Sequence, residues 1–258
     1  MNYRFGDALF RFFNESPAPI SSKDLQGLVQ GIHRDYGFEQ SLALQNLMNS
    51  HDTSRIGSAV VNPESRQDHR ANLSSNRSYR VRKPNAAERE VLKLMIAFQF
   101  CAPGAPYIYY GDEVGMWGAD DPDCRKPMVW PDLDYETETT HPFGLSRQHD
   151  AVVVNSDVLG FYKEMIHLRR SSPELQTGSM KLMTFPGHDR LVAMVRTIGS
   201  TTTIAAFNAD QISVTISSKD LGMDDSANWR TLWGSPPDTR VEIRARQFSI
   251  WTRSDREK

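Results

Sequence analysis

Cysteine is scarce in this sequence: Cys101 and Cys124 are the only two in 258 residues, too few for a disulfide framework. No C-x-x-C pair occurs, and no H-E-x-x-H run joins any of the seven histidines. The common zinc signatures are therefore missing, and no metal or other cofactor is expected. No stretch approaches the ~18 consecutive apolar residues of a membrane span. Excess charge of one sign is lacking too: 30 Lys+Arg against 32 Asp+Glu leave a formal net charge of -2. Such a balance offers nothing to nucleic acid or to an acidic membrane surface, and neither is expected as a partner. The residues behind Met1 open no apolar signal-peptide core, and localisation stays unassigned. What is present is globular material. The 10% of aromatic residues, five of them Trp, exclude a disordered chain, and the length suits one or two domains.

The first two thirds of the chain alternate short apolar runs with amphipathic helical ones, the pattern of α/β units. Leu42, Leu44, Leu47 and Met48 crowd the segment 41–49, which predicts a buried strand ending in Asn-Ser-His-Asp. After Pro84 the spacing predicts a helix. Asn85 is its N-cap, Glu88 stands three residues on, and Val91, Leu94, Met95 and Phe98 share one face. A second buried strand is predicted at Tyr107-Ile108-Tyr109-Tyr110 and a further helix over 156–170. Between the first strand and its helix, segment 62–84 is rich in Arg, Asn and Ser. It is long for a loop and reads either as a functional excursion or as a solvated surface insertion. Beyond Gly178 the texture changes to short alternating runs at 180–185, 191–197, 202–207, 212–216, 229–233 and 240–251, an all-β spacing.

Two of the predicted strand ends carry acids: His51-Asp52 and Asp112-Glu113. Ligands of parallel α/β folds bind at such carboxyl ends, where an acid beside a histidine can bind hydroxyls or move a proton. By spacing alone these acids serve equally well as helix caps or turn solvation.

The residues around them form a more specific pattern. Leu47-Met48-Asn49-Ser50-His51-Asp52-Thr53-Ser54-Arg55 resembles the seventh-strand motif of the alpha-amylase family, glycoside hydrolase family 13. The run from Pro103 to Met116, through Tyr109-Tyr110-Gly111-Asp112-Glu113, resembles that family's eighth-strand motif. Asp120-Asp121-Pro122-Asp123-Cys124-Arg125-Lys126-Pro127-Met128 is similar to the stretch that follows in its neopullulanase and cyclomaltodextrinase branch. Three motifs in the right order make the resemblance specific.

The resemblance implies an α/β plus β fold: the C-terminal part of a TIM (β/α)8 barrel, about strands 6–8, followed by an antiparallel β-sandwich domain. Residues 1–176 would be the partial catalytic barrel, with Met1-Asn2-Tyr3 ending strand six, and residues 177–258 the sandwich. A full barrel takes about 250 residues. It further implies a retaining glycosidase acting on α-glucosidic bonds of maltodextrins, cyclodextrins or pullulan. Asp52 matches the family's third carboxylate, which binds the distorted sugar, and His51 is the neighbouring hydroxyl donor. Asp121 and Arg125 match a pair that grips a glucose unit of the substrate. The nucleophile of such enzymes sits in Gly-x-Arg-x-Asp. Arg66-Gln67-Asp68 and Arg253-Ser254-Asp255 share the Arg-x-Asp spacing without the leading Gly, and no strand ending in an acid/base Glu precedes residue 41. The chain alone is therefore expected to be inactive. The partner expected is an α-glucan or maltooligosaccharide, and the branch implies a homodimer for the full-length parent. The alternatives are a non-catalytic sugar-binding remnant and one half of a split enzyme.

Overall fold

The computed structural model describes residues 1–14, 18–65, 71–223 and 229–254. Arg66-Gln67-Asp68 and Asp255 lie outside the described residues. Contacts group the chain into two compact units, each assembled from separate segments: Met1–Pro19, Asn46–Lys93 and Pro106–Glu164 in the first, Ile20–Gln45, Leu94–Ala105 and Met165–Lys258 in the second.

In chain order the first element is helix α1 (Tyr3–Phe13), capped by Asn2, whose side chain accepts from the Phe5 N–H. Residues 1 and 2 therefore belong to a helix cap, and the expected strand end at Met1-Asn2-Tyr3 is not formed. Phe5, Leu9, Phe12 and Phe13 line the buried face of α1, each contributing about 1.5–3 kcal/mol by leaving water. Helix α2 (Ser22–Tyr36) opens with a reciprocal capping box between Ser21 and Asp24 and closes at Gly37, whose positive φ of 80° glycine adopts without a Cβ clash. A short α3 (Phe38–Ser41) follows.

Strand β1 is confined to Gln45–Leu47, shorter than the predicted 41–49, because α3 absorbs Ser41 and the chain turns at 42–44. Helix α4 (Ile56–Val61) is wholly buried. Gly57 in it is tight: a Cβ there would come within 2.8 Å of the Met116 carbonyl. Helix α5 (Ala86–Cys101) begins as predicted. The Asn85 side chain accepts from the Glu88 N–H at 3.0 Å, and the Glu88 carboxylate accepts from the Asn85 N–H at 2.8 Å. Strand β2 (Ala105–Tyr107) pairs with β1 and overlaps the predicted 107–110 only at Tyr107, while the rings of Tyr109 and Tyr110 both lie against the guanidinium of Arg55. Helices α6 (Ser156–Arg170) and α7 (Pro173–Thr177) complete the helical part.

The polar excursion after α4 is tied down where it is described. Ala71, Leu73, Tyr79 and Val81 form a small core with Ala119, and Arg80 reaches Glu64 and the Val61 carbonyl.

Among the described residues seven strands follow: β3 (Ser179–Phe185), β4 (His188–Ile198), β5 (Thr201–Asn208), β6 (Val214–Ser217), β7 (Arg230–Trp233), β8 (Arg240–Ile243) and β9 (Gln247–Ser254). They make an antiparallel five-stranded sheet, ordered β3-β4-β5-β9-β7, and an antiparallel pair β6-β8. The single strand expected over 240–251 is two. Arg246 adopts φ 52°, and its N–H donates to the Asp210 carbonyl. The run therefore breaks and serves both sheets, which share a core including Leu191, Ile204, Ile216, Val241 and Trp251. Helix α2 lies against β3 and β4 of this unit, with Gln26 donating to the Leu182 carbonyl at 2.6 Å.

Candidate functional site

The turn after β1 carries His51 and Asp52 in the first unit. Its shape is set by short side chains: the Ser50 N–H donates to Thr53 Oγ1 at 2.9 Å, and the Asp52 N–H to Ser50 Oγ at 3.1 Å. These bonds hold the turn without using the Asp52 carboxylate, which is left half exposed together with the His51 ring. His51 Nε2 stands 3.2 Å from Asp52 Oδ1.

The second contributor is the segment Asp120–Lys126, whose tight turn at Asp123–Arg125 turns Arg125 toward both acids. Arg125 Nε lies 2.5 Å from Asp121 Oδ1, and its NH2 lies 3.4 Å from Asp52 Oδ1. The thiol of buried Cys124 donates to the His51 carbonyl at 3.3 Å and joins the two loops. Burial pushes that thiol up to about 11, with Asp120 and Asp121 adding to the rise, so it stays a neutral donor. The fold thus brings all four sequence-predicted residues, His51, Asp52, Asp121 and Arg125, into one cluster.

Sequence reasoning missed the support beneath them. Arg55 is wholly buried, with its guanidinium 4.5 Å and 4.7 Å from the ring centroids of Tyr109 and Tyr110. It donates to the Tyr110 carbonyl at 2.6 Å and pairs with Asp112 at 3.3 Å. Asn49 donates to the same Asp112 oxygen at 3.1 Å. Burial drives the Asp112 carboxyl up to about 7, against the pull of Arg55 and the Asn49 hydrogen bond. Arg55 follows Asp52 by three residues, so this buried knot anchors the turn that presents it. Arg55 and Asp112 stand inside the quoted motifs, and only their meeting was invisible. Trp117 is buried, with the Lys126 ammonium 5.7 Å from its ring centroid, and takes no part in the Asp52 cluster. Among the described residues no group of three His, Cys, Asp or Glu side chains converges as a metal site.

Solved structures identify the class of fold first. A debranching enzyme from Nostoc punctiforme superposes with a TM-score of 0.67 at 22% identity, covering 97% of this chain and 45% of that one. A cyclomaltodextrinase superposes at 0.68 with 23% identity, covering 98% of this chain and 36% of that one. These neighbours have the TIM-barrel fold. The alpha amylase catalytic domain matches residues 1–178, and the chain belongs to the alpha-amylase family. Its curated relatives are glycoside hydrolases. A cyclomaltodextrinase of Bacillus sp is 29% identical over 216 residues, which is 84% of this chain and 30% of the relative. Neopullulanase 2 of Thermoactinomyces vulgaris is 28% identical over 77% of this chain and 26% of its own length. The chain thus spans less than a third of the length of these relatives.

Proposed function

We propose that this chain is the C-terminal part of a retaining glycoside hydrolase of maltodextrins, cyclodextrins or pullulan. In this reading residues 1–176 are the end of a (β/α)8 barrel, with β1 and β2 as its last two strands, and residues 177–258 a β-sandwich. The observation that carries it is the Arg125 guanidinium touching both Asp52 and Asp121 beside His51.

The chemistry follows from what such a cluster can bind. Retaining cleavage needs a nucleophilic and an acid/base carboxylate about 5–5.5 Å apart around an oxocarbenium-like transition state. Asp52 is neither. Its exposed carboxylate accepts hydrogen bonds from sugar hydroxyls, and these tighten as the ring flattens. His51 adds a second polar contact beside it. Asp121 and Arg125 grip a neighbouring glucose unit through charge-assisted, directional hydrogen bonds. Because these ion pairs are exposed they contribute little to folding, so a sugar can displace them cheaply. Full-length parents of this chain would assemble as homodimers. These 258 residues contain no Gly-x-Arg-x-Asp nucleophile motif, so the isolated chain binds without cleaving.

Calorimetry and a turnover assay on the 258-residue chain test both parts. Saturable maltooligosaccharide binding is expected, lost on Asp52→Ala and weakened about tenfold by Arg125→Ala, with no release of reducing sugar. Cleavage by the pure chain would overturn the inactivity, and binding indifferent to Asp52→Ala would overturn the site.

A further inference from the structure

A cavity of about 430 Å³ opens in the first unit and shares no residue with the Asp52 cluster. Small-molecule sites run from about 300 to 1,000 Å³. Its wall includes Lys83, Arg89, Trp117, Asn155, Ser156 and Asp157.

The polar groups of that wall are unequal. Asp157 is its one acidic side chain and is already held by Lys93 at 2.9 Å. The Asn155 side-chain oxygen is taken by the Val158 N–H at 3.1 Å, as the cap of α6. Among the described residues no carboxylate lies within ion-pair distance of the Lys83 ammonium or the Arg89 guanidinium. The Arg89 head is steadied only by the Pro84 carbonyl at 2.8 Å, and the Lys83 N–H is pinned to Asp150 at 3.3 Å. Trp117 is buried with its indole N–H lacking an acceptor among the described residues. The first turn of the 15-residue α6 adds the positive end of its dipole. The two side chains of the wall without a carboxylate partner, Lys83 and Arg89, are both cationic donors, and Leu92 and Val154 supply apolar wall.

We propose that this cavity binds a small phosphomonoester, its dianion on Lys83, Arg89 and the first turn of α6, its body against Trp117, Leu92 and Val154. A dianion matches two unpaired cations in charge, and the apolar wall favours an ester over the bare ion. The proposal is independent of the function read from the Asp52 cluster.

The test is calorimetric titration of the whole chain, at constant ionic strength, with glucose 6-phosphate, inorganic phosphate and glucose in turn. One saturable site for the ester is expected, weakened about tenfold or more by Lys83→Ala and by Arg89→Ala, with glucose silent. Both side chains are half-buried, so an unchanged melting curve separates lost binding from lost folding. Inorganic phosphate binding as tightly as the ester would overturn the ester assignment. No saturable heat, or heat that survives both cation substitutions, would overturn the site.

Discussion

Arg196 lies wholly buried on β4 and carries its charge without a carboxylate in its hydrogen-bond shell. Its guanidinium donates to the carbonyls of Cys101, Leu175, Gly178 and Ser179. Those acceptors include the last residue of α5 and the carbonyls around the end of α7, oxygens a helix cannot satisfy internally. Burial, reinforced by Arg169, lowers the Arg196 pKa to about 10, still charged at neutral pH. Arg169 does the same service for Phe100, Ala102 and Gly104. Arg196→Met is expected to lower unfolding stability by about 3 kcal/mol or more, because several buried carbonyls lose their donor at once. Arg196→Lys recovers only part, since one ammonium cannot reproduce the planar fork. Urea unfolding monitored by circular dichroism reads both, and a loss under 1 kcal/mol for Arg196→Met would contradict the account. Nothing in the alternating pattern of β4 marked this position, because its partners come from segments distant in sequence.

Among the elements, α5 shows how a local signal and a distant one combine. Asn85 and Glu88 form the capping box readable from three-residue spacing, but the same Glu88 also takes two hydrogen bonds from Arg82, at 2.6 and 2.7 Å. Burial alone would raise the Glu88 pKa. The Arg82 bonds and the Asn85 N–H outweigh it and hold the carboxyl below its ordinary value. A depressed carboxyl pKa stabilises the fold above the unfolded value, near 4.5, and that contribution is lost as pH falls through the folded value. Glu88→Gln is therefore expected to cost about 1–2 kcal/mol at pH 7. The difference from wild type should shrink in acid, and a pH series of urea titrations checks the convergence. Helices α2 and α4 were missed. The Ser21-to-Asp24 box of α2 was visible in sequence, whereas α4 has six buried residues and neither period nor cap to announce it.

At the scale of the whole molecule, the first two strands form a sheet of two among the described residues, with edges of the kind that invite further pairing. Large apolar side chains stand exposed beside polar loops, among them Trp130, Leu133 and Val153. The chain expressed alone is expected to bind a hydrophobic fluorescent dye and to melt with weak cooperativity. A sharp melt without dye binding would show that these 258 residues already bury what they need to bury.

The sequence by itself determined the family, through motifs that require particular residues at particular strand ends. It also determined the antiparallel β texture beyond Gly178, since side-chain alternation and turn residues are local properties. It named His51, Asp52, Asp121 and Arg125 one by one, through the same motifs. Only the tertiary structure decided that Arg125 reaches Asp52 across more than seventy residues of chain. It alone set Arg55 against the rings of Tyr109 and Tyr110 with Asp112 as its ion-pair partner, and broke the run at 240–251 so that it serves two sheets. The reason is physical. Propensity and spacing act over a few residues, whereas burial of a charge and the choice of its partner depend on atoms that folding brings together from far apart.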